Sequence, residues 1–74
     1  MNYIAYVEIR LTTGESIKEI QVINEYLVDK CDKKATDCLF SGKLDLGNLH
    51  ISVRPSLVAW VSIKCVEGRK NDVR

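Results

Sequence analysis

The segment from Lys43 to Val53 leaves this chain the fewest choices. In Lys43-Leu44-Asp45-Leu46-Gly47-Asn48-Leu49-His50-Ile51-Ser52-Val53 apolar residues alternate on both sides of a Gly-Asn pair. That is the pattern of a two-residue hairpin whose first turn position takes a positive φ. Counting outward from the turn pairs Leu46 with Leu49 and Leu44 with Ile51 on one face, and Asp45 with His50 and Lys43 with Ser52 on the other. A one-residue slip would mix the two faces, so the turn and the alternation specify the same register. An isolated hairpin is marginal in water, and the rest of the chain must cover its apolar side.

Upstream, Tyr3 to Leu11 alternates with period two and is rich in strand formers, which predicts a first strand ended by Thr12-Thr13-Gly14-Glu15. Ser16-Ile17-Lys18-Glu19 has the form of a capping box, in which hydroxyl and carboxylate satisfy each other's orphaned amide hydrogens. At 100° per residue Ile17, Ile20, Ile23, Leu27, Val28, Cys31 and Ala35 share one arc, so an amphipathic helix is expected from Ser16 onward. The competing assignment makes Glu15 to Val22 a second strand, with the helix starting at an Asn24 cap. Its drawback is that Ile17 and Ile20 then point to opposite faces. Both assignments agree on helix from Asn24 to Lys34.

Ala35-Thr36-Asp37 is expected to link back to the sheet, with strands at Cys38 to Leu46 and Leu49 to Arg54 and a corner at Arg54-Pro55-Ser56. In the last strand, Leu57 to Val66, one side reads Leu57, Ala59, Val61, Ile63 and Cys65, which is assigned to the core. The other reads Val58, Trp60, Ser62, Lys64 and Val66. The sum is an α+β fold: an antiparallel-rich four-stranded sheet with one amphipathic helix on its apolar face, in the order β-α-β-β-β, or β-β-α-β-β-β in the alternative. Residues 1–67 form the single domain. Residues 68–74, charged and almost without apolar side chains, are expected to be disordered.

With 74 residues, a chain buries roughly 60% of its extended-state surface and keeps about 3 to 5 kcal/mol of net stability. There is little room for a catalytic cleft, and association is a natural source of added stability. Eleven basic side chains against ten acidic ones argue against non-specific phosphate binding as the main task. Residues 15–37 carry six acids against four lysines, and 38–74 six bases against three acids, a split ordinarily seen in solvated surfaces. Cys31, Cys38 and Cys65 are odd in number and widely spaced, so no disulfide framework is expected and a reducing, cytoplasmic setting fits best. The opening residues lack the basic start of a signal peptide and meet Glu8 too soon for a membrane span.

The informative surface is the sheet face away from the helix. Strand one places Ile4, Tyr6, Glu8 and Arg10 there, the hairpin Lys43, His50 and Arg54, and the last strand Val58, Trp60, Lys64 and Val66. Tyr6, Arg10, Arg54, Val58, Trp60 and Lys64 are the candidate partner-binding residues. Rings and cations on one open face hold a protein partner or a second copy of the chain, or stack the bases of single-stranded nucleic acid. The plain structural alternative is that Trp60 and Tyr6 are cross-strand neighbours covering each other.

Cys31, Cys38, His50 and Cys65 have no close-pair ligand spacing, so core cysteines rather than a metal are expected. His50 opposite Asp45, with Ser52 on the same strand, lacks a nucleophile elbow, a glycine-rich phosphate loop or paired carboxylates, and no catalytic residue or cofactor is assigned.

In the strand ending Thr12-Thr13-Gly14-Glu15 and the closing strand Leu57-Val58-Ala59-Trp60-Val61-Ser62-Ile63, the chain resembles small single-domain proteins of bacteriophages and integrated elements of Gram-positive bacteria. The likeness is one of texture along most of the chain and carries no site residue. It implies a protein that binds and modulates a host or phage protein. The short, bent strands also resemble Sm-like barrels, from which the chain departs because a strand precedes its helix. The expected role is a small non-enzymatic protein-binding or regulatory module, homodimeric and cytoplasmic. The alternative is single-stranded nucleic-acid binding through the Tyr6/Trp60 face.

Overall fold

The computed structural model describes residues 2–68. Strands β1 (Asn2–Leu11) and β2 (Ser16–Asn24) form a hairpin, followed by a single helical turn α1 (Glu25–Val28) and the main helix α2 (Cys31–Ser41). The short strands β3 (Lys43–Leu46) and β4 (Leu49–Ser52) come next, then a 3-10 turn at Pro55–Leu57 and the last strand β5 (Val58–Glu67). The architecture is α+β. One sheet is antiparallel with order β2-β1-β5, and β3-β4 is a separate two-stranded hairpin.

The strand assignment for Glu15 to Val22 is the one the chain adopts, so the helix expected from Ser16 is corrected. Pairing of Ile4 with Val22, Tyr6 with Ile20 and Glu8 with Lys18 outcompetes the capping box, because the β-branched Ile17, Ile20, Val22 and Ile23 favour a strand and β1 gives them cross-strand partners. Helix begins instead where Asn24 accepts a bond from the Leu27 amide at 3.2 Å, and it is broken at Asp29 and Lys30 rather than continuous from Asn24 to Lys34. It also runs further than expected: Ala35 to Ser41 is helical, and α2 stops only at Gly42, whose φ of 74° lets its N–H donate to the Cys38 carbonyl at 2.8 Å.

The β3-β4 register is the expected one, pairing Leu46 with Leu49, Leu44 with Ile51, Asp45 with His50 and Lys43 with Ser52. The hairpin does not join the main sheet, however, so a single four-stranded sheet is not formed. Its buried side chains, Leu44 and Leu46, belong to the same core as Ala5, Val7 and Ile9 of β1, Ile23 of β2, Cys31 and Cys38 of α2, and Val58 of β5. Gly47 at the hairpin tip lies against the Gln21 side chain of β2, while α2 packs on β5. Helix and hairpin thus share the task of covering one face of the sheet.

Val58 is a further correction. It lies in the core at 9% exposure, whereas Leu57 and Ala59 are exposed. Arg10 pairs with Trp60 but Leu11 pairs with Val58, so Ala59 is an extra residue in a bulge. Such an insertion reverses side-chain parity along the strand. From Val61 to Cys65 the expected inward set, Val61, Ile63 and Cys65, holds. Gly68 donates to the Asn2 carbonyl at 3.0 Å; the rest of the tail expected to be disordered lies outside the described residues.

Candidate protein-binding face

Because β1 is central, its even-numbered side chains and their partners make four rows across the face that helix and hairpin leave open. These are Val22, Ile4 and Val66; Ile20, Tyr6 and Lys64; Lys18, Glu8 and Ser62; and Ser16, Arg10 and Trp60. The first row is wholly apolar, and Ile20 and Val22 are 65% and 57% exposed. Tyr6, Trp60 and Val66 are each close to half exposed. Ile4, Val22, Val66, Tyr6 and Ile20 lie in adjacent rows, a cluster of apolar side chains that makes this face the candidate contact surface.

Tyr6 and Trp60 are two rows apart and so do not cover each other as direct cross-strand partners. Between them the twisted sheet forms a shallow concavity of about 650 Å³, with Glu8 and Ser62 across its floor and Lys18 and Lys64 at its sides. The Trp60 ring is paired with Arg10, whose guanidinium carbon stands 5.7 Å from the ring centroid, within reach of a cation–π contact. Arg10 also touches Glu8, Nη2 to Oε2 at 3.4 Å. The face carries Arg10, Lys18 and Lys64 against Glu8, a modest positive excess.

Of the six candidates, the fold brings Tyr6, Arg10, Trp60 and Lys64 onto this face. Val58 is removed to the core by the bulge. Arg54 is exposed but precedes the 3-10 turn, where its carbonyl accepts the Leu57 amide at 2.9 Å, and it belongs to no strand of the sheet. Lys43 and His50 leave the face with their hairpin. Ile20 and Val22 were missed because the helical assignment placed Ile20 inside and Val22 on a helix flank. The apolar residues of both parities in Ile17 to Ile23 were the available signal.

His50 and Asp45 form the expected cross-strand pair, with Nδ1 and Oδ1 2.7 Å apart and both side chains well exposed. The bond from His50 holds the Asp45 carboxyl below its ordinary range, helped by the His50, Lys34 and Lys43 charges. Among the described residues no three His, Cys, Asp or Glu side chains converge as a metal site would require, and no helix is long and apolar enough to cross a membrane. Cys31 and Cys38 are core residues. No family model matches the chain, and neither a curated protein nor a solved structure matches it.

Proposed function

We propose that this chain is a small non-enzymatic protein-binding module that acts as a homodimer through the open face of the β2-β1-β5 sheet, in the manner of the cytoplasmic phage and mobile-element proteins whose role is to modulate a host protein. The observation that carries this reading is the uncovered apolar surface of Ile4, Tyr6, Ile20, Val22, Trp60 and Val66. Like charges disfavour one way of pairing two such faces. With the strands of the two copies antiparallel, Arg10 meets Ile4, Glu8 meets Tyr6, Lys64 meets Ser62, and Trp60 meets Val66 of the other copy. With the strands parallel, Glu8 meets Glu8 and Arg10 meets Arg10, which is repulsive. Among the described residues the outer edges of β2 and β5 have no strand partner, face-to-face pairing leaves them so, and an extended segment of a host protein can add there.

Sedimentation equilibrium of the wild-type chain, Val22→Asp and Trp60→Ala tests the reading. Wild type is expected to be dimeric at micromolar concentration, with Trp60 emission shifting to the red on dilution. Each variant is expected to be monomeric with its fold retained by circular dichroism. A wild-type chain that is monomeric at all concentrations refutes self-association through this face.

The Arg10–Trp60 stack beside Lys18 and Lys64 supports a second reading, in which bases of a single strand lie in the concavity and the cations touch phosphates. Quenching of Trp60 by mixed single-stranded oligonucleotides, reversed steeply by salt, is its signature.

A further inference from the structure

We propose that Cys31 and Cys65 form a thiol-oxidation site that closes to a disulfide and staples the first turn of α2 to the edge strand β5. The two Sγ atoms are 3.2 Å apart although 34 positions separate them in the chain. Cys31 opens α2 and is buried, while Cys65 lies on the core face of β5 opposite Ala5 and is half-buried. Cys38, seven residues along the same helix, is also buried but has no such sulfur neighbour among the described residues. A cysteine serving only as a small apolar residue, as Cys38 does, needs no second thiol aimed at it.

Unequal access sets the order of events. Burial, with the Cys65 contact and Asp32 adding to it, pushes the Cys31 thiol up to about 12, and the more accessible Cys65 is the sulfur an oxidant meets first. Its thiolate attacks one sulfur of a low-molecular-weight disulfide such as glutathione disulfide, forming a mixed disulfide and expelling one glutathione thiolate. Cys31 then loses its proton to that thiolate, and its sulfur attacks the Cys65 sulfur and expels the second glutathione, which is protonated from water. Two protein thiols lose two electrons and two protons, and one small disulfide becomes two thiols. The bond forms on the covered side of β5, behind Lys64 and Val66, so the open face keeps its chemistry and the inference does not depend on the binding role.

The test is intact mass, peptide mapping and thermal unfolding of the full chain after incubation with glutathione disulfide. The expected product is a monomer lighter by two hydrogen atoms, with Cys31 and Cys65 recovered as one linked peptide pair. Its melting temperature should rise on the order of 10 °C and return to the starting value with reductant. Cys38→Ala should form the same internal bond with the same rise above its own reduced melting temperature, and Cys31→Ala should stop at a lasting glutathione adduct on Cys65 with no such rise. A lasting adduct on the wild-type chain, a bond through Cys38, or disulfide-linked dimers in place of the internal bond would each overturn the proposal.

Discussion

Replacing Gly42 by alanine should come close to unfolding the protein. Gly42 ends α2 at a φ of 74°, where an L side chain costs about 1 to 2 kcal/mol. The added carbon would also fall far inside contact distance of the Val53 carbonyl oxygen and 3.1 Å from the Pro55 nitrogen, both backbone atoms that cannot swing aside. Relief requires parting the segments that the Val53 amide and Gly42 carbonyl now join at 2.8 Å. That sacrifices a hydrogen bond worth about 1 kcal/mol and disturbs packing at about 1 to 3 kcal/mol. The total of roughly 3 to 6 kcal/mol matches or exceeds the whole reserve, about 3 to 5 kcal/mol, of a domain this small. Gly14→Ala is the matched control: its φ of 97° is also positive, but among the described residues no atom beyond its chain neighbours lies within 4 Å of the added carbon, so only the conformational cost of about 1 to 2 kcal/mol remains. Urea titration followed by far-ultraviolet circular dichroism, with Trp60 emission as a second probe, separates the two. Equal losses in both variants would refute the steric account of the Gly42–Val53 junction.

The bulge at Ala59 predicts that Val58→Ala costs about 2 kcal/mol and Leu57→Ala less than about 1 kcal/mol in the same titration; the reverse order would restore the uninterrupted alternation. His50→Ala should bring the Asp45 carboxyl back up to its ordinary range, read from the pH dependence of its carbon-13 shift. Because the Asp45 carboxyl is held low in the folded chain, it favours folding while ionised, and that contribution fades as pH falls through the carboxylate range. A wild-type chain whose Asp45 midpoint is unchanged by His50→Ala would show that the 2.7 Å pair does not persist in solution.

Legibility in the sequence followed from how many signals agreed at each place. At Lys43 to Ser52 turn chemistry and alternation point the same way, and the register is found residue for residue. At Ser16 to Asn24 they conflict. The capping box and the helical arc come from local spacing, but β1 supplies hydrogen bonds from elsewhere in the chain, and those prevail. The objection to a strand there, that Ile17 and Ile20 face opposite ways, describes what the strand does: Ile20 joins the open face and Ile17 the margin of the core. The strand expected from Cys38 begins only at Lys43, because α2 packs on β5 and runs on to its Gly42 cap. The bulge is a tertiary accommodation between the 3-10 turn and β1, with the Thr12 amide bonded to the Leu57 carbonyl at 2.8 Å, and nothing in the local spacing announces it.

The central place of β1 also governs the birth of the molecule. Its pairing with β2 is local, joining Arg10 to Ser16 across a tight turn, but its other edge waits for β5, where Tyr3 meets Glu67. At ribosomal speed β5 follows the completed β1-β2 hairpin by about 2 to 9 seconds. Throughout that interval the hairpin has both edges bare and apolar side chains on both faces, Ala5, Val7 and Ile9 on one and Ile4, Tyr6, Ile20 and Val22 on the other. The nascent chain is therefore stickiest before it can fold. Glu8, Arg10, Lys18 and Glu19, set among those residues, act as gatekeepers against strand-to-strand aggregation on the polysome.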